Sequence, residues 1–312
     1  MNARTFPHWQ AALLLIAAFF VQAITSSAAD MTAPTQAVAR KNHVDIALVL
    51  AVDVSSSIEA GERRFQREAY AAALKDPRVA RMALGGPTGG VAIAYMEWSG
   101  RRYQRVHVPM RVLTSPDDLS AFADEILAIE DRPNDPMYYQ ATAVGDALIA
   151  AEVEMSERGL LARDYVIDIS GDGVVNDGLA VNPAREHVLS RGLVVNGLPI
   201  ELTGAPEASH ENATQEIVSR FYADCVIGGP GAFHLVARGF GDIRETLIMK
   251  LMLEMADIPA ERKTQIAQAW NTGTNGPTAR IIPAMVLDLS PQGSAQNREP
   301  DCGNAQPMTF VP

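Results

Sequence analysis

Apolar and polar positions alternate along the chain in blocks that predict a regular series of strands and helices. Apolar runs rich in Val, Ile and Leu, or alternating apolar residues, predict strands at 44–54, 91–99, 105–113, 164–170, 192–200 and 232–239. Apolar residues at helical spacing predict helices at 58–74, 117–130, 143–158, 183–191, 211–222 and 241–256. This order predicts the α/β class, a doubly wound and mostly parallel sheet with helices on both faces.

One pair of strands departs from the parallel pattern. Only the short stretch GRRYQ, residues 100–104, separates the second strand from the third. A parallel connection needs a dozen or more residues, whereas an antiparallel hairpin needs very few. We therefore expect one antiparallel hairpin at an edge of the sheet.

The ends of the chain differ in character from the α/β region, which we place at 43–256. Arg4, the apolar run AALLLIAAFFVQAI and the small residues TSSAA predict a signal peptide at 1–29. The alternative is an uncleaved anchor, but the run is shorter than the roughly 20 residues of a spanning helix. Residues 30–42 read as a linker and 257–312 as a polar, partly irregular tail. We expect an exported protein, periplasmic or secreted, with no membrane span after cleavage.

Charge and cysteine content narrow the choice of partners. The chain has 26 Lys and Arg against 37 Asp and Glu. Because nucleic-acid binding needs a basic face, this balance argues against a nucleic-acid partner. Two cysteines, Cys225 and Cys302, favour a disulfide in an exported protein, the alternative being two unpaired thiols. The scattered histidines give little support to a zinc site.

Oxygen-bearing side chains follow or precede the predicted elements in three loops. Asp53, Ser55 and Ser57 come after the first strand, Thr142 precedes a helix, and Asp172 follows the strand that ends in DIS. In open α/β sheets, ligands bind beyond the carboxyl ends of the strands. Five hard oxygen donors at one edge would suit Mg²⁺, Mn²⁺ or Ca²⁺ better than zinc or copper.

Each of these loops also has a local explanation. Ser56 and Glu59 fit a capping box, Thr142 could cap its helix, and SGDG could be a tight turn that needs glycine at positive φ. Either interpretation accounts for one loop taken alone. The coincidence of three such signals at one sheet edge favours the metal site.

The three motifs, in this order on this strand and helix series, resemble those of von Willebrand factor A domains. DVSSS matches their Asp-x-Ser-x-Ser motif, Thr142 their lone threonine and Asp172 the aspartate of their Thr-Asp-Gly loop. The chain also resembles, more narrowly, an uncharacterised bacterial family of exported proteins with such a domain. The resemblance covers about 43–256, and it implies the fold predicted above.

The resemblance also implies a metal-ion-dependent adhesion site. In such a site, Ser55, Ser57 and Thr142 would bind the ion directly, while Asp53 and Asp172 would act chiefly through water or hydrogen bonds. The sequence departs from the family pattern at one position, because SGDG has glycine where the threonine precedes the aspartate. That departure leaves open how the carboxylates are held.

The function that these residues favour is binding without catalysis. We expect a metal-dependent module that recognises a protein or peptide through an acidic side chain. The alternatives are a Mg²⁺-dependent hydrolase that uses the same site, and a scaffold whose site stays empty. The three loops contain no histidine or lysine to act as a base, and the chain has no Gly-x-Ser-x-Gly elbow or Asp-x-Asp nucleophile pair. These absences argue against the hydrolase.

Overall fold

The strands form one six-stranded sheet in the order β3-β2-β1-β4-β5-β6. The structure is a computed structural model that describes residues 43–55, 58, 60–130, 141–201, 217–272 and 302. The predicted signal peptide and linker lie outside this part of the chain. The strands are β1 His43–Asp53, β2 Val91–Trp98, β3 Gln104–Leu113, β4 Leu161–Gly171, β5 Val194–Glu201 and β6 Ala237–Arg238.

Strand pairing confirms the predicted fold class. β1 pairs in parallel with β2, β4 with β5, and β5 with β6. β2 and β3 pair antiparallel, as the short GRRYQ connection predicted, and β3 lies at the edge. The sheet is therefore mostly parallel, and β1 and β4 lie side by side at its centre.

Seven α-helices are described beside the sheet. They are α1 Ala60–Leu74, α2 Pro77–Leu84, α3 Pro116–Leu127, α4 Val144–Ser156, α5 Val181–Ser190, α6 Phe240–Met255 and α7 Ala260–Asn271. α1 ends before Pro77, as predicted, but the chain then starts α2 at this proline. Asp76 caps α2, since its side chain accepts a hydrogen bond from Arg78 N at 2.8 Å. A proline at the first helical position is favourable because its missing N–H has no helical partner there.

Two features near the C-terminal end differ from the predicted pattern. Helix α7 lies within the stretch predicted as polar tail, and its Ala267 and Trp270 pack with Phe233 and Leu253. The strand predicted at 232–239 is reduced to Ala237–Arg238 and one isolated bridge. The apolar side chains of this segment cover α7 instead of extending the sheet.

Both faces of β1 are buried, which explains its continuous apolar sequence. Leu48 and Leu50 pack into one core layer, with α1, α3 and α6, whereas Val49 and Ala51 pack into the other, with α4 and α5. Complete burial of a leucine side chain stabilises the fold by about 1.5–3 kcal/mol. These two layers fix the carboxyl end of β1 at the middle of the sheet.

A disulfide joins Cys225 to Cys302, as predicted, with a Cα–Cα distance of 5.4 Å. Cys225 lies in a π-helical turn, Tyr222–Val226, that follows a helical segment at 217–221. The N-terminal part of the helix predicted at 211–222 lies outside the described residues. None of the helices that the structure describes is long and apolar enough to cross a membrane.

Candidate metal centre

Asp53 and Ser55 lie at the carboxyl end of β1, on the central strand of the sheet. Asp53 is the last residue of the strand, and Val54 N continues the pairing by donating to Trp98 O at 2.8 Å. Ser55 N donates to Asp53 Oδ1 at 2.7 Å, so that the aspartate fixes the turn after the strand. Both side chains are buried. Ser57, the third predicted residue of this motif, lies outside the described residues.

Thr142 is held at the carboxyl end of the sheet by two hydrogen bonds between its backbone and Asn176. Its N–H donates to Asn176 Oδ1 at 2.8 Å, and Asn176 N donates to Thr142 O at 3.1 Å. Ala143 N donates to Ser99 O at 2.8 Å, which ties this segment to the end of β2. The structure thus brings Thr142 to the predicted edge, where its side chain is buried.

The hydroxyl of Thr142 does not cap helix α4. The N-cap residue is Ala143, and no side chain makes a capping hydrogen bond there. The capping explanation for this threonine is therefore wrong. Ser56 and Glu59, the residues of the predicted capping box, lie outside the described part of the chain.

Asp172 begins the loop that follows β4. The far side of this loop is tied down, because Leu179 N donates to Asp146 Oδ2 at 2.6 Å and Arg101 pairs with Asp177 at 2.6 Å. Asp172 itself is half-buried. The loop therefore presents the Asp172 carboxylate from a backbone that is anchored to α4 and to the β2–β3 hairpin.

The glycines on either side of Asp172 show how closely the three loops approach. A β-carbon on Gly171 would lie 2.8 Å from Asp53 Oδ2, and one on Gly173 would lie 3.6 Å from Thr142 Oγ1. Neither glycine has a positive φ. The tight-turn explanation for SGDG is therefore wrong. Glycine is needed at 171 because a side chain would collide with its neighbours.

The charge of the site is unbalanced. Burial raises the pKa of Asp53 well above its usual range, and the nearby Asp172 carboxylate raises it further. Asp53 Oδ2 is buried and has no hydrogen-bond partner among the described residues. A buried carboxylate oxygen is stable only when it is paired, protonated or close to a cation.

This donor set fits a hard divalent cation. The described residues contain no group of three or more His, Cys, Asp or Glu side chains placed to hold a metal. Ser55 and Thr142 supply hydroxyls, and Asp53 and Asp172 supply carboxylates, all of them oxygen donors that suit Mg²⁺, Mn²⁺ or Ca²⁺. A cation at this end of the sheet would compensate the charge of the buried Asp53 carboxylate, whose Oδ2 has no hydrogen-bond partner among the described residues.

Two residues of the site were not predicted from the sequence. Asn176 positions Thr142, and its only sequence signal is its place in the loop after Asp172. Tyr222 places its hydroxyl 2.7 Å from the position of a β-carbon on Gly171. It lies about 50 residues beyond Asp172 in the sequence, so no local pattern connects the two.

Comparisons with solved structures give weak matches. The mussel byssus proximal thread matrix protein 1, described with a zinc-occupied MIDAS motif, matches at 17% identity with a TM-score of 0.46, over 68% of this chain and 46% of that chain. The manganese-loaded TRAP protein of Plasmodium vivax matches at 15% identity with a TM-score of 0.40, over 65% and 73%. The chain thus spans less than half the length of the mussel protein.

Comparison with curated proteins gives no match. A protein-family model matches residues 43–259, a range that begins at β1 and ends just before α7. This range covers well over half of the chain and includes Asp53, Ser55, Thr142 and Asp172, the four described residues that the sequence predicted for the site. The chain therefore belongs to the family described as "Protein of unknown function (DUF1194)".

Proposed function

We propose that this protein is an exported, metal-ion-dependent binding module that recognises an acidic side chain of a protein or peptide. Ser55, Ser57 and Thr142 would hold Mg²⁺, or else Mn²⁺ or Ca²⁺, and Asp53 and Asp172 would support the ion from outside. The observation that carries the proposal is the buried, unpaired Asp53 Oδ2 at a sheet edge where carboxylates and hydroxyls meet.

The charges of the site favour a bound cation. Asp53 and Asp172 raise the free energy of each other's ionised form, and burial adds to this cost at Asp53. A divalent cation would offset both effects. Because the direct ligands would be neutral hydroxyls, the ion would keep enough positive charge to attract a carboxylate oxygen of a partner.

Binding without catalysis is also part of the proposal. Asp172, a carboxylate like Asp53 itself, is the charged group whose field raises the pKa of Asp53. A hydrolase would need a base near the ion, and the site as described offers none beyond its own carboxylates. Export is supported by the signal-like N-terminal sequence and by the disulfide, which is typical of oxidising compartments.

Calorimetric titration of the purified protein with Mn²⁺ and Mg²⁺ tests the metal site. We expect saturable binding to the wild type and loss of binding in Asp53→Ala. Asp45→Asn is the matched control, because Asp45 is a buried aspartate at the opposite end of β1 that accepts from Thr88. Equal binding by the wild type and Asp53→Ala, or no binding by the wild type, would refute the proposal.

Affinity capture from an extracytoplasmic extract, with and without a chelator, tests the partner. The proposal expects a partner that is retained with Mg²⁺ and released by the chelator. Replacing acidic residues of that partner by their amides should abolish its retention. A partner that stays bound in the chelator, or whose acidic residues can all be replaced, would show that this site does not do the binding.

A further inference from the structure

Tyr222 crosses two strands in a slot that two glycines leave open. A β-carbon on Gly171 of β4 would lie 2.7 Å from the Tyr222 hydroxyl, and one on Gly197 of β5 would lie 2.7 Å from Tyr222 Cδ1. Contacts this short do not occur between real atoms of these types, so any side chain at either position would displace the tyrosine. Glycine at 171 and 197 thus provides room for this ring.

The Tyr222 hydroxyl and Asp53 Oδ2 face the same small space. A β-carbon on Gly171 would lie 2.7 Å from the hydroxyl oxygen and 2.8 Å from Asp53 Oδ2, so both oxygens border the same position. Both atoms are buried, and neither has a hydrogen-bond partner among the described residues. The hydroxyl can donate and the carboxylate oxygen can accept, so each is a suitable hydrogen-bond partner for the other.

The backbone around Tyr222 is held firmly. Tyr222 O accepts from Ile227 N at 3.0 Å, and Arg185 Nη1 donates to Asp224 O at 3.0 Å. Cys225, in the same π-helical turn, carries the disulfide. π-Helical turns are rare in proteins, but those that occur are often found at functional sites. The turn therefore fixes the tyrosine from outside the sheet, while the glycines accommodate it within.

We propose that Tyr222 is a positioning residue of the metal site, whose hydroxyl donates a hydrogen bond to Asp53 Oδ2 when a divalent cation is bound. The inference rests on the proposed function, because it assumes that Asp53 supports an ion. It also accounts for the glycine that precedes Asp172. The Tyr222 hydroxyl lies where a side chain at residue 171 would otherwise project. The hydrogen bond that such a side chain could have made is therefore supplied by Tyr222, which is distant in the sequence.

Mn²⁺ titration of Tyr222→Phe tests the assignment, at a temperature at which every variant is folded. Loss of a partner that orients a metal-site group typically costs 10–100-fold in metal affinity, and we expect a loss in that range. The control is Tyr70→Phe, which removes another fully buried hydroxyl on the neighbouring helix α1, one that is already paired with Ser170 at 3.1 Å. Its Mn²⁺ affinity should equal that of the wild type.

A spectroscopic measurement separates positioning from packing. Adding Mn²⁺ to the wild type should change the ultraviolet absorption of a tyrosine, because the hydroxyl gains a hydrogen bond. The change should persist in Tyr70→Phe and disappear in Tyr222→Phe. Gly171→Ala, whose β-carbon would displace the same hydroxyl, provides a second variant and should also bind Mn²⁺ more weakly.

The outcomes distinguish this inference from the proposed function. If the wild type binds Mn²⁺ and Tyr222→Phe binds it equally well, the role of Tyr222 is refuted and the metal site stands. If Tyr70→Phe loses as much affinity as Tyr222→Phe, the effect is one of general packing and the inference is again wrong. If the wild type binds no Mn²⁺, the metal site itself is refuted.

Discussion

Lys250 Nζ lies 2.7 Å from Asp168 Oδ1, and both side chains are completely buried. Lys250 also pairs with Glu254, one turn further along α6, so that a single ammonium group lies between two carboxylates. Asn196 Nδ2 donates to Glu254 Oε1 at 3.3 Å. The group joins α6 to β4 by an ion pair and to β5 by the Asn196 hydrogen bond, inside the core.

Lys250→Met should destabilise the protein strongly. Removing one partner of a buried ion pair leaves the other charge unpaired, which typically costs about 3–5 kcal/mol. Urea unfolding measured at neutral pH checks this expectation. The combined variant Lys250→Met, Asp168→Asn and Glu254→Gln removes all three charges and should recover part of the loss. If Lys250→Met were as stable as the wild type, the two carboxylates would not depend on Lys250 for their stability.

Glu254 should make stability depend on pH near neutrality. Its pKa is raised from 4.5 to about 7, chiefly by burial and also by the Asp168 carboxylate, against the opposing effect of Lys250. A carboxyl group whose pKa is raised by folding stabilises the native state fully at pH values below its pKa in the unfolded chain. This contribution is lost as pH rises through the pKa of the folded state, about 7. Between these two pKa values, the free energy of unfolding falls by on the order of 3 kcal/mol as pH rises.

The measurement is the unfolding free energy of the wild type and of Glu254→Gln between pH 5 and pH 8. We expect the wild type to lose stability relative to the variant as pH rises. His234 has a lowered pKa because of burial and of Lys250, and its contribution has the opposite sign. Since His234 is present in both proteins, its contribution cancels in the comparison. Parallel pH profiles would contradict the assignment.

The elements that depend on local sequence were predictable. β1 was identified because a strand covered on both faces has a continuous apolar run, and the hairpin because a short connection permits only antiparallel pairing. The same reasoning placed Asp53 and Asp172 at the same end of the sheet. Strand order in the sheet makes these two residues neighbours, although more than 100 residues separate them.

The features that depend on distant contacts were not predictable. Helix α7 is polar on most of its surface, and it is recognised only when Ile266 and Trp270 are seen to pack with Phe233. Tyr222 belongs to the site because two glycines on different strands leave room for it. Nothing in the sequence near Tyr222 indicates that it belongs to the site, because the two glycines lie on β4 and β5.

The disulfide should contribute substantially to stability. It links residues that are 77 positions apart, and closing a loop of this length in the unfolded chain stabilises by about 4–5 kcal/mol in the chain-entropy model. Reduction of the wild type should lower its unfolding free energy by an amount of this order. The double variant Cys225→Ala, Cys302→Ala should be insensitive to reductant. Two reactive thiols in the denatured, unreduced protein would contradict the pairing.

Thr142→Ala should weaken Mn²⁺ binding with little loss of stability. Because the threonine hydroxyl caps no helix and Asn176 bonds only to its backbone, alanine preserves the local structure. We expect at least a tenfold loss of Mn²⁺ affinity, the loss typical even for groups that only orient a ligand. Thr142→Ser keeps the hydroxyl and should bind as the wild type does. Calorimetry with Mn²⁺, and melting temperatures of the metal-free proteins, separate the two effects. If Thr142→Ala binds Mn²⁺ as tightly as Thr142→Ser, the hydroxyl is not a ligand and the predicted donor set is wrong.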